Sequence, residues 1–190
     1  MYLIHSNRSN RVLTPLLAVA VALILVPQAA VGQEVEEYKD MVYGNVNGMN
    51  LGLDVYVPAN VDSPPLVIYV HGGAWRAGSK SSGVPMHFVE NGFALASLDF
   101  RSSNDAQFPA MVHDIKGAIR YLRDHADDFG YNNESFAITG SSSGGHLAAL
   151  VGITNGHPDL EGTIGGHTDT SSEVQAIISY FGASDLTTIL

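Results

Sequence analysis

Short apolar strands alternate with helical stretches along most of the chain. This pattern predicts an α/β fold, a mostly parallel sheet with helices on both faces. Two segments support it. The run "LVIYV", Leu66 to Val70, is apolar without a break, as a strand covered on both faces must be. The stretch "FPAMVHDIKGAIRYLRDHADDFG" carries Met111, Ile115, Ala118, Ile119 and Leu122 at three- and four-residue spacing, the stripe of an amphipathic helix that Gly130 ends.

Residues 1–32 stand apart from this pattern. Arg8 and Arg11 precede the apolar stretch "VLTPLLAVAVALILV", and small residues follow at "AAVG". A positive start, an apolar middle and a small-residue exit read as a secretory signal peptide cleaved after Gly32. The other reading is an uncleaved anchor, but the stretch falls short of the roughly 20 residues a spanning helix needs. The expectation is therefore export, to the medium, the periplasm or the cell envelope, with no stable membrane span after cleavage. Residues 33–190 then read as the N-terminal portion of a single domain.

In that domain, an acidic and loose start, "QEVEEYKD", leads into a β-hairpin around "NVNG" whose second strand, "LGLDVYV", stops at Pro58. After the strand at Leu66 come a glycine-rich loop, "HGGAWRAGSK", a short helix over Val84 to Asn91, and the strand "FALASLDF". The amphipathic helix follows, then the strand "SFAIT", a turn of three serines, and a helix from Gly144. A polar loop, "NGHPDLEGTIGGHTDTSSE", precedes a last, buried-looking strand, "VQAIISYFG". A parallel sheet that stops there leaves its last strand without a covering helix. Either the protein is small for this architecture or the chain is a fragment, and the fragment is the expectation.

Composition excludes several functions. The chain has 45% hydrophobic residues, a formal charge of −10 and no cysteine. Such an acidic surface repels phosphate backbones, so no nucleic-acid partner is expected. Disulfides, thiol catalysis and cysteine-based metal sites are ruled out. The histidines and acids of the polar loop match no metal-ligand spacing, and that loop reads as a solvated surface segment.

The serine turn carries the chemistry. Gly140-Ser141-Ser142-Ser143-Gly144 fits G-x-S-x-G in one register, which selects Ser142. In this motif a strand bends sharply into a helix and lifts the serine hydroxyl above the sheet, with small residues on either side because the backbones approach closely. Upstream, "HGGAW" follows an apolar strand. Its glycines let backbone N–H groups turn inward and, with the N–H of Ser143, hold the oxygen of a tetrahedral intermediate. The simpler reading of "HGGAW" is a turn alone.

With both motifs in this order and spacing, the sequence resembles the α/β-hydrolase esterases and lipases. The likeness is to the group with "HGG(G/A)W" and "GxSxGGHLA", which includes enzymes related to hormone-sensitive lipase and bifunctional feruloyl and acetyl-xylan esterases. It covers nearly all of residues 40–190, including "LDVYVP", "LDFR" and "GGHTDTSSEVQAIISYFGASDLT". The resemblance implies a serine carboxylic-ester hydrolase working through an acyl-serine, without cofactor or metal. Its substrates would be acetyl, feruloyl or short-chain esters, carbohydrate-linked ones among them. It places Ser142 as nucleophile, Gly73, Ala74 and Ser143 at the oxyanion hole, and His71 and Gly72 as supports of the loop.

The base and acid of a triad are harder to place. In this fold they follow the serine in the order acid, then histidine. His146 lies in the first turn of the nucleophile helix and is expected to pack beneath the turn; His157 and His167 precede Asp185, so neither fits that order. Asp185 follows the last strand, where some α/β-hydrolases carry the acid, but reads as a capping or structural residue. The triad acid and histidine are expected beyond Leu190, the C-terminal strands and helices of the fold being absent, so this polypeptide should be inactive or nearly so. Asp99 and Arg101, at the C-terminal end of a strand, read as a structural ion pair or as substrate contacts, Asp114 as a structural hydrogen-bonding group, and Trp75 either lines a pocket or packs under the loop. Two other functions stay open: a prolyl-oligopeptidase-like serine peptidase, and a non-catalytic module that kept the fold.

Overall fold

The computed structural model describes residues 34–189. The signal segment expected at 1–32 lies outside the described residues. Among the described residues six strands form one sheet in the order β1-β2-β4-β3-β5-β6. Its first two, β1 (Val35–Val46) and β2 (Met49–Pro58), are the hairpin read from "NVNG". Asn47 and Gly48 both take left-handed backbone, φ 51° and 88°, the turn whose twist matches paired strands.

The acidic start is not loose. Residues from Val35 on pair with β2 as far as Pro58, so "VEEYKD" is strand. Backbone hydrogen bonds hold it there, while its four charged side chains, Glu36, Glu37, Lys39 and Asp40, suit an edge strand that must not recruit another chain.

Strand β2 pairs antiparallel with β4 (Ala94–Leu98). From there the sheet is parallel: β4 beside β3 (Pro65–Val70), β3 beside β5 (Asn132–Ser141), β5 beside β6 (Ala176–Tyr180). Strand β3 shows why its run is apolar throughout. Leu66, Ile68 and Val70 enter the larger core, and Val67 and Tyr69 enter the smaller one on the opposite face. Each such buried aliphatic side chain contributes about 1.5–3 kcal/mol.

The smaller core is closed by Val89 of α1 (His87–Glu90), a single turn rather than the eight-residue helix expected. The larger core is covered by α2 (Ala110–Asp124) and α4 (Ser143–Ile153), and Ile115, Ala118, Ile119 and Leu122 of the expected stripe are fully buried. The long helix is also shorter than its pattern. It breaks at His125, and a separate turn, α3 (Ala126–Phe129), runs to Gly130, whose φ of 80° ends it.

The polar loop is not simply solvated. Its short helix α5 (Pro158–Glu161) brings Glu161 against two fully buried cations of α2, Lys116 and Arg120. At the far side of the sheet, β6 is apolar but not buried. Ile177, Ile178 and Tyr180 are 39%, 36% and 41% exposed, and β6 pairs on one edge only. Among the described residues no helix is long and apolar enough to cross a membrane.

Candidate active site

Strand β5 ends at Ser141 and α4 begins at Ser143, so Ser142 alone makes the bend. Its backbone lies at φ 55°, ψ −125°, a strained conformation for a residue with a Cβ. Two contacts hold it: the Ser142 N–H donates to the Tyr180 carbonyl at 3.0 Å, and its carbonyl accepts from the His146 N–H at 3.1 Å. The bend is crowded. A Cβ on Gly140 would stand 2.7 Å from the Val70 oxygen, and one on Gly144 would overlap that oxygen outright. The side chain of Ser142 nevertheless points outward and is exposed.

The glycine loop lies against this bend. A Cβ on Gly72 would sit 2.9 Å from the Ser141 carbonyl and 3.4 Å from the Ser142 Cβ. Gly73 (φ 132°), Ala74 (φ 52°) and Trp75 (φ 60°) run through positive φ, and the Gly73 carbonyl closes a turn by accepting from Arg76 and Ala77 at 3.0 Å. Among the described residues the N–H groups of Gly73, Ala74 and Ser143 donate to no acceptor. That of Ser143 is unpaired because it opens α4, where no carbonyl lies one turn earlier. The partial positive charge of the helix terminus adds to it.

His71 is buried behind the loop, its Nδ1 2.8 Å from the Gly72 carbonyl and its ring stacked on Phe100 with centroids 4.4 Å apart. The far end of the loop is tied down by Lys80. Its N–H donates to Asp99 at 2.7 Å, its carbonyl accepts from Ser97 at 2.6 Å, and its ammonium meets the buried Asp54 at 2.6 Å. Arg101 bonds Asp114 through Nη2 and Nε at 2.6 and 2.9 Å; this bonding holds the guanidinium pKa above its usual range. The ion pair expected between Asp99 and Arg101 is not formed: Arg101 pairs with Asp114, and Asp99 instead accepts from the Lys80 N–H, so all three make structural bonds.

A cavity of about 900 Å³ opens beside Ser142. Trp75, Phe108, Met111, Leu147 and Phe181 give it apolar walls. Of the two readings of Trp75 the structure gives the first, a cavity wall, and the side chain also packs against the larger core. His146 is not beneath the turn; it lines the cavity, and its Nδ1 accepts from the Trp75 indole at 3.4 Å. Phe108 and Phe181 escaped the sequence reading, since nothing local marks an exposed aromatic as a wall.

Among the described residues no imidazole hydrogen-bonds the Ser142 hydroxyl. His167 pairs with Asp124 at the end of α2 remote from Met111, about 20 Å along the helix from the cavity wall. Asp185 closes its own turn, accepting from the Thr187 N–H at 2.9 Å and the Thr187 hydroxyl at 2.6 Å. Among the described residues no cluster of His, Asp and Glu could hold a metal ion. The site therefore presents a strained hydroxyl, unpaired N–H donors and an apolar cavity.

Residues 53–190 match the family model described as BD-FAE. The chain belongs to that family. Solved structures similar to it include the "Bifunctional GH43-CE" of Bacteroides eggerthii, 36% identical with a TM-score of 0.73, over 80% of this chain and 21% of that one. A "Truncated form of carbohydrate esterase from gut microbiota" is 32% identical with a TM-score of 0.71, over 80% of this chain and 59% of that one. Among curated proteins, "Esterase LipC" of Mycobacterium tuberculosis is 34% identical over 124 residues, 64% of this chain and 30% of the relative. The chain thus spans about a third of the length of such curated relatives. The family likeness and the sheet order together make this an α/β-hydrolase fold.

Proposed function

We propose that the protein is a serine hydrolase of carboxylic esters. Ser142 Oγ attacks the ester carbonyl carbon and gives up its proton to a base. The carbonyl oxygen, now an anion, is held by the N–H groups of Gly73, Ala74 and Ser143. When the intermediate collapses, the alcohol leaves with a proton and the acyl group stays on Ser142 until water releases it as the acid. Each well-placed donor in such a hole is worth about 100- to 1000-fold in rate. His71 and Gly72 support the loop that carries the donors.

The observation that carries this reading is the pairing of an exposed, strained Ser142 with N–H groups that bond nothing else. The Ser143 amide is buried, where amides are ordinarily satisfied, while Gly73 and Ala74 lie exposed on the adjoining loop; donors left unpaired beside one hydroxyl suit an anion that forms only during reaction. Similar proteins named as esterases support the reaction class, and those named carbohydrate esterase favour acetyl, feruloyl or other small acyl groups on sugar alcohols. The apolar cavity suits such acyl groups.

A fluorophosphonate probe tests the nucleophile. Prolonged incubation should place the adduct on Ser142, located by mass spectrometry, and Ser142→Ala should take none. An adduct spread over Ser141 and Ser143, or none at all, would favour a non-catalytic module. Because no imidazole among the described residues reaches the hydroxyl, added imidazole should speed labelling. For the same reason this polypeptide should hydrolyse p-nitrophenyl acetate no faster than Ser142→Ala. Competition of the label by acetylated, feruloylated and peptidyl ligands separates esterase from peptidase. Export belongs to the same reading, supported by the Arg8- and Arg11-led apolar stretch; an exported product beginning at Gln33 is the expected result of N-terminal sequencing.

A further inference from the structure

The Trp75–His146 contact decides where the imidazole proton sits. The Trp75 indole N–H donates to His146 Nδ1 at 3.4 Å, and the rings stand edge to face with centroids 5.5 Å apart. A ring nitrogen accepts only when it carries no proton, so the proton is on Nε2. Two features keep the ring neutral. Burial pushes the His146 pKa below its ordinary value, and its place near the start of α4 puts it where the helix dipole disfavours a cation.

The other nitrogen faces open space. Nε2–H bonds no acceptor among the described residues, yet it is not a buried orphan, since only Arg120 Nε is one among them. The open space that His146 lines is the cavity that also holds Ser142. The acceptor side chains of the cavity, Ser103, Gln107, Ser142 and Ser143, make no hydrogen bond to it, and Phe108, Met111, Leu147 and Phe181 offer none. With its free lone pair turned toward Trp75, His146 also has none to offer Ser142 as a base.

The geometry points to His146 Nε2–H as a fixed hydrogen-bond donor that selects esters bearing a second acceptor oxygen, an ether or carbonyl, on an apolar body. It rests on the reading of Ser142 as the group that attacks the ester. An ester with an oxygen at that depth satisfies the N–H. One without it strips water from the donor and replaces nothing, which is how a polar group in an apolar pocket discriminates.

Matched ligands test this. Methyl para-methoxybenzoate and methyl para-ethylbenzoate differ by an oxygen on the acyl side; para-methoxybenzyl and para-ethylbenzyl acetate differ on the alcohol side. Trp75 is the only tryptophan of the chain, so its fluorescence reads binding at this wall. The methoxy member of one pair should bind about 3- to 10-fold more tightly, and that pair tells which side of the ester reaches His146. His146→Phe should bring both members to the same Kd, and His146→Gln, which keeps an N–H, should retain part of the difference. Equal affinities in both pairs, no binding of either pair, or a preference that survives His146→Phe overturns the inference.

Nitrogen NMR of the unmodified protein needs no variant to fold. The Nε2–H tautomer is expected at His146, and an Nδ1–H ring overturns the proposal. Failure here is distinguishable from failure of the parent reading. A labelled Ser142 without oxygen preference sinks only the His146 donor, whereas an oxygen preference with Ser142 unlabelled sinks the nucleophile.

Discussion

The serine bend and the cluster around Glu161 treat polar groups in opposite ways. At the cluster two cations are fully enclosed, and nearly every polar atom is answered. Lys116 donates to the Thr154 carbonyl at 2.5 Å and to Glu161 at 2.6 Å; Arg120 donates to the Glu161 and Ile164 carbonyls at 3.0 and 3.1 Å; the Ser172 hydroxyl donates to Glu161 at 2.6 Å. At the bend a hydroxyl and three amide N–H groups are left open, and Ser142 is held at φ 55°. Unsatisfied groups and strained backbone both cost stability. The cluster spends its charges on fixing a loop to α2, and nothing there is free to react. The bend keeps its groups free, so its geometry has to be imposed by neighbours, chiefly the crowded glycines.

The largest expected effect follows from that dependence. A methyl group on Gly144 would overlap the Val70 carbonyl and lie 2.7 Å from the His71 carbonyl carbon, both rigid backbone. Gly144→Ala should therefore cost about 4 kcal/mol, above the roughly 1–3 kcal/mol usual for overpacking because the blocking atoms are backbone. The measurement is urea unfolding, with the midpoint falling and the slope unchanged. A loss under about 1 kcal/mol would mean that the bend tolerates displacement and that its shape is not set by close contact.

Breaking the cluster should cost somewhat less. Glu161→Ala strands Lys116 and Arg120 as unpaired enclosed cations, for about 3 kcal/mol, the low end because the Glu161 side chain is itself 27% exposed. A pH series then sharpens the contrast. Burial raises the Glu161 pKa, but hydrogen bonds from Lys116 and Ser172 and the two nearby cations outweigh this and hold it below the ordinary value. The unfolded chain thus binds its proton first as pH falls. Stability is complete above the ordinary glutamate value of about 4.3 and drains away between there and the depressed value. Glu161→Gln should flatten that part of the stability curve; an unchanged acid limb would show that the carboxylate is not what the cluster depends on.

The two regions also differ in how far the sequence discloses them. Ser142 could be read because its geometry is local: Gly140 and Gly144 sit two residues either side, and the strand and helix that bend there flank the motif directly. The same holds for Asn47-Gly48 and for Leu66 to Val70. Glu161 could not be read, because its partners Lys116 and Arg120 lie 45 and 41 residues away and the helical stripe of α2 marks only apolar positions. Trp75 and His146 are 71 residues apart and meet only through the fold. The strand in "VEEYKD" was hidden for another reason. Its pairing with β2 is made by backbone, which side-chain pattern does not report.

Gly130 separates crowding from conformation and carries the smallest effect. Its φ of 80° closes α3, yet a Cβ there would meet nothing within 4 Å. Gly144 is the reverse case: its φ lies outside the left-handed range and the surrounding space is full. Gly130→Ala should then cost only the left-handed penalty, about 1–2 kcal/mol, with fluorophosphonate labelling of Ser142 unchanged. If crowding is what shapes the bend, Gly144→Ala must exceed Gly130→Ala in the same unfolding assay and must slow the labelling as well. Equal costs would show that glycine serves one purpose at both positions, and would remove the argument that close backbone approach sets the serine in place.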